Sequence, residues 1–252
     1  MVRAWPRMYD YLYCLMGSLT TLTLFRFSDL RSKSWAFMQM QFAHSDLAKT
    51  KGLIFYKLMG SGRDLGFNPF PDWGVYALLG VWESEQAAHS FLSESPIYLR
   101  YQKMSSEQWT IFMKPIHTKG LWSGGNPFEA CSDLDEANSL IAVITRATIR
   151  TSKLVKFWRY VPTSQMPIKR GCEGLIYTKG IGEAPLVQMA TISLWENVES
   201  LKKFAHASPE HQQAIRKTQQ LDWYKEEMFA RFQPFKSIGL WGGIDPLAPY
   251  LK

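Results

Sequence analysis

The chain has 252 residues, 46% hydrophobic and 20% charged, with 29 Lys and Arg against 22 Asp and Glu for a net charge of +7. This balance excludes a disordered polymer, and the length allows one large domain or two small ones. Three scattered cysteines (Cys14, Cys131, Cys172) without a CxxC pair exclude a disulfide framework and a cysteine zinc site, and fit a reducing cytoplasm.

Residues 1–18 read as an N-terminal extension. Arg3 and Arg7 precede the apolar run Tyr11–Met16 as in a signal peptide, but Asp10 interrupts its start and no small-residue cleavage site follows before the strand-like run Leu19–Phe27. Met16 offers an alternative start. Residues 19–128 then read as one unit: a strand at Leu22–Phe27, a helix at Ser34–Phe42 and strands at Leu53–Met59 and Val75–Trp82. An amphipathic helix at Glu83–Leu92, a second helical piece and a last strand at Trp109–Pro115 complete it. The polar run 129–139 is a linker. Residues 140–252 repeat the order, with strands at Ile141–Ile149, Leu175–Ile181, Leu186–Trp195 and Phe229–Phe235 and helices at Leu154–Tyr160 and Val198–Ala205. No run approaches the roughly 18 apolar residues of a membrane helix.

The two units match residue by residue. Leu24-Phe25-Arg26 resembles Ile144-Thr145-Arg146 at an offset of 120, and Gly52-Leu53-Ile54 resembles Gly174-Leu175-Ile176 at 122. Trp82, Phe91 and Pro96 answer Trp195, Phe204 and Pro209 at 113, and Gly120-Leu121-Trp122 answers Gly239-Leu240-Trp241 at 119. The order β-α-β-β-α-β is the ferredoxin-like unit. Two tandem units place their sheets face to face as a fused α+β barrel of the dimeric type. A cavity between the sheets would employ the 10 Trp, 11 Tyr and 15 Phe; a core built on aromatics is the plainer reading.

No GxSxG elbow, Walker loop or HExxH is present. Gly60-Ser61-Gly62 and Gly180-Ile181-Gly182 read as turns. Glu83, Glu85, Glu196 and Glu199 read as solvated faces. The basic residues are dispersed, whereas a nucleic-acid groove needs a concentrated stripe. A diffuse positive field suits an anionic membrane surface or an acidic protein. Of five histidines, His44 fits a helix end, His117 follows a strand, and His89 and His206 sit among polar neighbours. His211 follows Ser208-Pro209-Glu210, a helix-start pattern. A helix-borne imidazole beside an aromatic cavity suits axial ligation of haem iron. The first unit has Tyr98 at the corresponding place, so such a ligand would exist in one repeat.

Several motifs resemble the spheroidene monooxygenase family, the acyclic carotenoid 2-ketolases. In the first unit these are Arg26-Phe27, Trp35-Ala36, Gln39-Met40, Gly52-Leu53 with Lys57, Gly60-Ser61-Gly62, Trp109-Thr110 and Gly120-Leu121-Trp122-Ser123-Gly124. In the second they are Thr145 to Arg150, Phe157-Trp158-Arg159, Lys179 to Glu183, His211 with Ala214-Ile215-Arg216, Trp223 with Glu226-Glu227, Phe229 to Phe232, and Trp241-Gly242-Gly243 with Asp245-Pro246-Leu247. The likeness covers about residues 19–247. It implies a haem b oxygenase using dioxygen and electrons from reduced ferredoxin, with His211 as the iron ligand. Arg150 and Lys179 would pair with haem propionates, and Arg146 either does the same or polarises bound oxygen. The implied carotenoid is longer than such a domain can enclose, so one end would enter the protein while the rest stays in lipid, with peripheral contact to the inner membrane. Another haem enzyme on the same barrel, such as an aldoxime dehydratase-like one, and a cofactor-free lipid-binding module are the alternatives.

Overall fold

The computed structural model describes residues 18–63, 70–164, 172–207 and 222–251. The first half comprises β1 (Leu19–Arg26), α1 (Leu30–Phe42), α2 (His44–Leu47), β2 (Leu53–Gly62), β3 (Pro71–Trp82), α3 (Glu85–Glu94), α4 (Pro96–Met104) and β4 (Glu107–Gly120). The second comprises β5 (Ile141–Ile149), a 3₁₀ turn at Thr151–Lys153, α5 (Leu154–Ser164), β6 (Leu175–Ala184), β7 (Gln188–Trp195), α6 (Val198–Ala207) and β8 (Tyr224–Gly239). All eight strands pair antiparallel in one closed barrel, in the order β1-β3-β2-β6-β7-β5-β8-β4. Each half contributes a four-stranded ferredoxin-like sheet, as the repeat predicts.

Two unequal seams join the halves. β4 and β8 run together from Trp109–Gly239 to Gly120–Met228. β2 meets β6 through Gly60–Gly182 and Ser61–Ile181. The two GxG motifs are therefore not turns: they lie within strands and form the short seam.

Strand register also corrects the repeat. Leu19 lies opposite Trp82 and Ile141 opposite Trp195, so the true offset is 122 in β1/β5 as it is in β2/β6. Gly52 and Gly174 obey it too. Both have φ of +73°, and a Cβ on them would lie 2.5 Å from Ala87 Cβ and 2.3 Å from Ser200 Oγ, so each repeat needs glycine there. With this offset the equivalent of Arg146 is Leu24, and that of Phe25 is Ala147.

Local chemistry starts the helices. Asp29 caps α1 by accepting the Ser32 amide at 2.9 Å, Ser84 caps α3 through Ala87 N at 3.1 Å, and Pro96 occupies the first turn of α4. Strand alternation then sorts the side chains. Leu22, Leu24, Met59, Leu79, Ile144 and Ile192 point inward with Trp109, Trp122, Phe128 and Phe232. This interior is a packed core, which corrects the expectation of a ligand cavity between the sheets. An eight-stranded barrel is just wide enough for its own side chains to fill. Opposite barrel ends are plugged by the stretches following β4 and β8, which supply Trp122 and Phe128 at one and Trp241, Leu247 and Leu251 at the other. Most remaining buried aromatics of the first half, including Phe25, Tyr76, Trp82, Tyr98 and Tyr101, lie between sheet and helices.

Candidate functional site

The outer faces of the two sheets differ although their strands are equivalent. On the first, Thr23, Phe25 and Leu78 are buried. Tyr98 and Tyr101 of α4 cover them: the Phe25 ring centroid lies 5.9 Å from that of Tyr98 and 4.8 Å from that of Tyr101. Tyr98 OH stands 3.3 Å from Thr110 Oγ1, which in turn bonds Thr23 Oγ1 at 2.9 Å. Burial pushes the phenol of Tyr101 up, so both rings are neutral packing elements.

On the second sheet the equivalent positions carry Thr145, Ala147 and Thr191, and Ser193 replaces Gly80. Thr145 is exposed where Thr23 is 2% exposed, and Thr191 and Ser193 are half-buried. Register places Thr145 beside Thr191, and Thr191 beside Gly180, so the middle of this face is built of small side chains. Among the described residues its packing falls into two groups. Ile149, Phe157, Met189 and Trp223 lie at one end, and Ile141, Val143 and Trp195, with Phe204 and Phe229, at the other. The segment equivalent to α4 spans 208–221, so His211 lies outside the described residues, as does Cys14.

A second feature is an apolar groove of about 200 Å³ on the barrel's outside, across the short seam. Gly60, Gly62, Gly180 and Gly182 form its floor, with Tyr76 and Met189. Phe37 and Trp73 stand edge to face at 5.5 Å on one side, and Leu186 on the other; all three are exposed.

Arg146, expected at the reaction centre, lies inside the barrel and is 2% exposed. Its guanidinium pairs with Glu226 and, at 3.4 Å, with Glu183. Glu183 also takes Lys57 Nζ at 2.6 Å and the Trp122 indole N–H at 2.7 Å. Glu226 accepts the amides of Ser123 and Gly124 at 2.8 and 3.0 Å. Burial pushes the Glu226 carboxyl up, but these amides and Arg146 outweigh it and hold it below its usual value. The network fastens the plug after β4 to the barrel end. At the opposite end Arg26 does the same job: it pairs with Glu107 at 3.0 Å and lies over Trp241, while Glu107 accepts the Gly243 amide. Arg146 is thus bound in structural ion pairs, not presented to a ligand.

The other expected residues are not gathered around it. Lys179 binds Asp72 at 3.0 Å and is directed inward with Ile181. Arg150, half-exposed just beyond β5, pairs with the exposed Asp222 at 3.1 Å. His44 is exposed with Nδ1 3.1 Å from Tyr56 OH, His117 is exposed within β4, and His89 stacks on Phe112 beside Lys236. The His206 side chain is not among those described. No cluster of three His, Cys, Asp or Glu suited to a metal ion occurs among the described residues, and no helix among them is long and apolar enough to cross a membrane.

Sequence reading missed the roles of Lys57, Trp122, Glu183 and Glu226, although all four fall in the quoted motifs. For the two carboxylates the available signal was their place in strand-like runs outside any helix, Glu183 beside Gly182. It also missed the groove, whose mark was a GxG near the end of the same strand in both repeats, with Gly60 and Gly182 at equivalent positions.

No family model matches the chain. Solved structures similar in fold include an aldoxime dehydratase in complex with butyraldoxime, at a TM-score of 0.59 and 10% identity, covering 88% of this chain and 81% of that one. A second aldoxime dehydratase structure gives a TM-score of 0.57, also at 10% identity, over 87% and 82% of the two chains. At such identity the likeness shows the fold alone. Among curated proteins, the spheroidene monooxygenase of Cereibacter sphaeroides is 36% identical over 232 residues, 92% of this chain and 71% of that protein. That of Rhodobacter capsulatus is 33% identical over 91% and 95%, and that of Rubrivivax gelatinosus 31% over 76% and 73%. The chain therefore belongs to the spheroidene monooxygenase family.

Proposed function

We propose that this protein is a haem-dependent monooxygenase that oxidises an acyclic carotenoid of the spheroidene type at carbon 2, with dioxygen as co-substrate and reduced ferredoxin as electron donor. One observation carries the cofactor: the second sheet's outer face has Ala147 and the exposed Thr145 where the first has Phe25 and the buried Thr23. The loss of a ring at that position, beside the exposed Thr145, fits a flat group lying against that sheet. His211 supports the same reading. It stands in sequence where the first repeat has Tyr98, and Tyr98 lies against this very face in its own half.

In this reading His211 holds the iron and Thr145, Ala147, Thr191 and Ser193 make room for the porphyrin. Arg150 closes one edge as partner for a propionate. Its present pair with Asp222 is a surface one, worth at most about 1 kcal/mol, and is readily exchanged. Lys179 and Arg146 serve the barrel. A bound haem would supply the dioxygen chemistry. In balance, C–H, O₂, two electrons and two protons give C–OH and water. A second round at the same carbon gives a geminal diol, which loses water to the ketone. The protein excludes water from the face and orients the chain end.

The net charge of +7 suits an acidic ferredoxin and an anionic bilayer in which the substrate resides. The test is incubation of purified protein with spheroidene, reduced ferredoxin and oxygen. Appearance of the 2-oxygenated carotenoid supports the reading; unchanged spheroidene, with the protein carrying haem, leaves a haem enzyme of another kind.

A further inference from the structure

We infer that the groove across the β2·β6 seam is the entry channel for the terminal segment of the carotenoid; this rests on the functional reading above. Three features of the groove point to a chain end rather than to a compact ligand. Ligand pockets that enclose a whole small molecule span roughly 300–1,000 Å³, whereas about 200 Å³ is available here. The walls are apolar, and the glycine floor lets a thin chain lie directly against the backbone. Finally, the rim of Phe37, Trp73 and Leu186 is exposed, which gives apolar contact to the portion of a long molecule that stays outside.

The groove also leads to the right place. Gly180 and Met189 belong to its lining, and they are the outer-face neighbours of Thr191 and Ala147 respectively. A chain end sliding inward over the seam therefore reaches the small-residue surface assigned to the haem. Oxidation near the end of a linear molecule requires an end-on approach, which the short seam offers. The long β4·β8 seam is covered by the Phe112–Phe235 contact and by Lys236.

Gly60 supplies the test. Its backbone is not in the left-handed region, and a Cβ there meets nothing within 4 Å, so a side chain would project into the groove without disturbing the barrel. Gly60→Cys holoenzyme is assayed before and after alkylation with a bulky maleimide, with wild-type protein treated identically to account for Cys14, Cys131 and Cys172. Unlabelled Gly60→Cys is expected to oxidise spheroidene more slowly than wild type, because its side chain narrows the floor, and its rate is the reference for the labelled protein. After labelling, the haem absorption band is expected to be unchanged and kcat/KM to fall at least tenfold, while alkylated wild type keeps its rate. Labelled Gly60→Cys that oxidises spheroidene as fast as the unlabelled protein overturns the channel. Wild-type holoenzyme that leaves spheroidene unoxidised overturns the functional reading instead, so the two failures are distinguishable.

Discussion

Replacing Arg146 by Leu separates structure from catalysis at the residue that sequence alone would place at the reaction centre. The substituted side chain matches Leu24 at the equivalent position of the first repeat, so little packing is lost. What is lost is the cation between Glu226 and Glu183. Removing one partner of a buried ion pair costs about 3–5 kcal/mol. Here Glu183 retains Lys57 and Trp122, Glu226 retains two backbone amides, and the two carboxylates are 16% and 20% exposed. Those contacts place the cost at the low end, about 3 kcal/mol. At roughly 2–4 °C per kcal/mol for a domain of this size, Tm falls by about 6–12 °C. Thermal unfolding followed by circular dichroism at neutral pH reads this directly. Adding Glu226→Gln to the variant should cost over ~1 kcal/mol less than Glu226→Gln costs alone, because the two side chains share one interaction. A variant with wild-type Tm, intact haem and abolished oxidation would refute the structural assignment and return Arg146 to the reaction.

Glu226 also sets a pH dependence. Its carboxyl is held below the usual value in the folded protein, so its stabilisation is fully present above about pH 4.5, the unfolded value. It is lost as pH falls through the depressed folded value. Denaturant titrations from pH 7 down to 3 should show this loss in wild type and a shallower one in Glu226→Gln; parallel curves would exclude the network as its source. At the short seam, Gly182→Ala places a Cβ 2.6 Å from the Gln188 carbonyl oxygen and should cost about 1–3 kcal/mol. Gly60→Ala, which meets nothing, should leave stability unchanged or raise it by about 0.5 kcal/mol. Equal losses in urea unfolding would contradict the strand geometry there.

The strand–helix order and the duplication were legible because each strand alternates and each repeat carries the same punctuation. β5 has the limits its sequence predicts, Ile141–Ile149. β4 runs beyond Pro115, where the sequence reading ended it, because a register shift between Pro115 and His117 accommodates a residue with no N–H to donate. β8 begins earlier than expected because the polar Glu226 is a strand residue whose carboxylate is occupied by the Ser123–Gly124 loop. The repeat was legible but its register was not. Arg26 and Arg146 do similar work at opposite barrel ends from positions that are not equivalent, and aligning the two arginines shifted β1 against β5 by two residues. The site was less legible still. Sequence periodicity says that Thr145 and Ala147 share a strand face, but only the neighbouring strands and α4 reveal that the same face is filled in one half and small in the other.

The absorption spectrum of the purified protein tests whether haem binds on the second sheet's outer face through His211. Wild type should show a haem Soret band that disappears or shifts markedly in His211→Ala, with the fold retained by circular dichroism. A His211→Ala spectrum identical to wild type, or protein purified from haem-sufficient cells without any haem band, would contradict it.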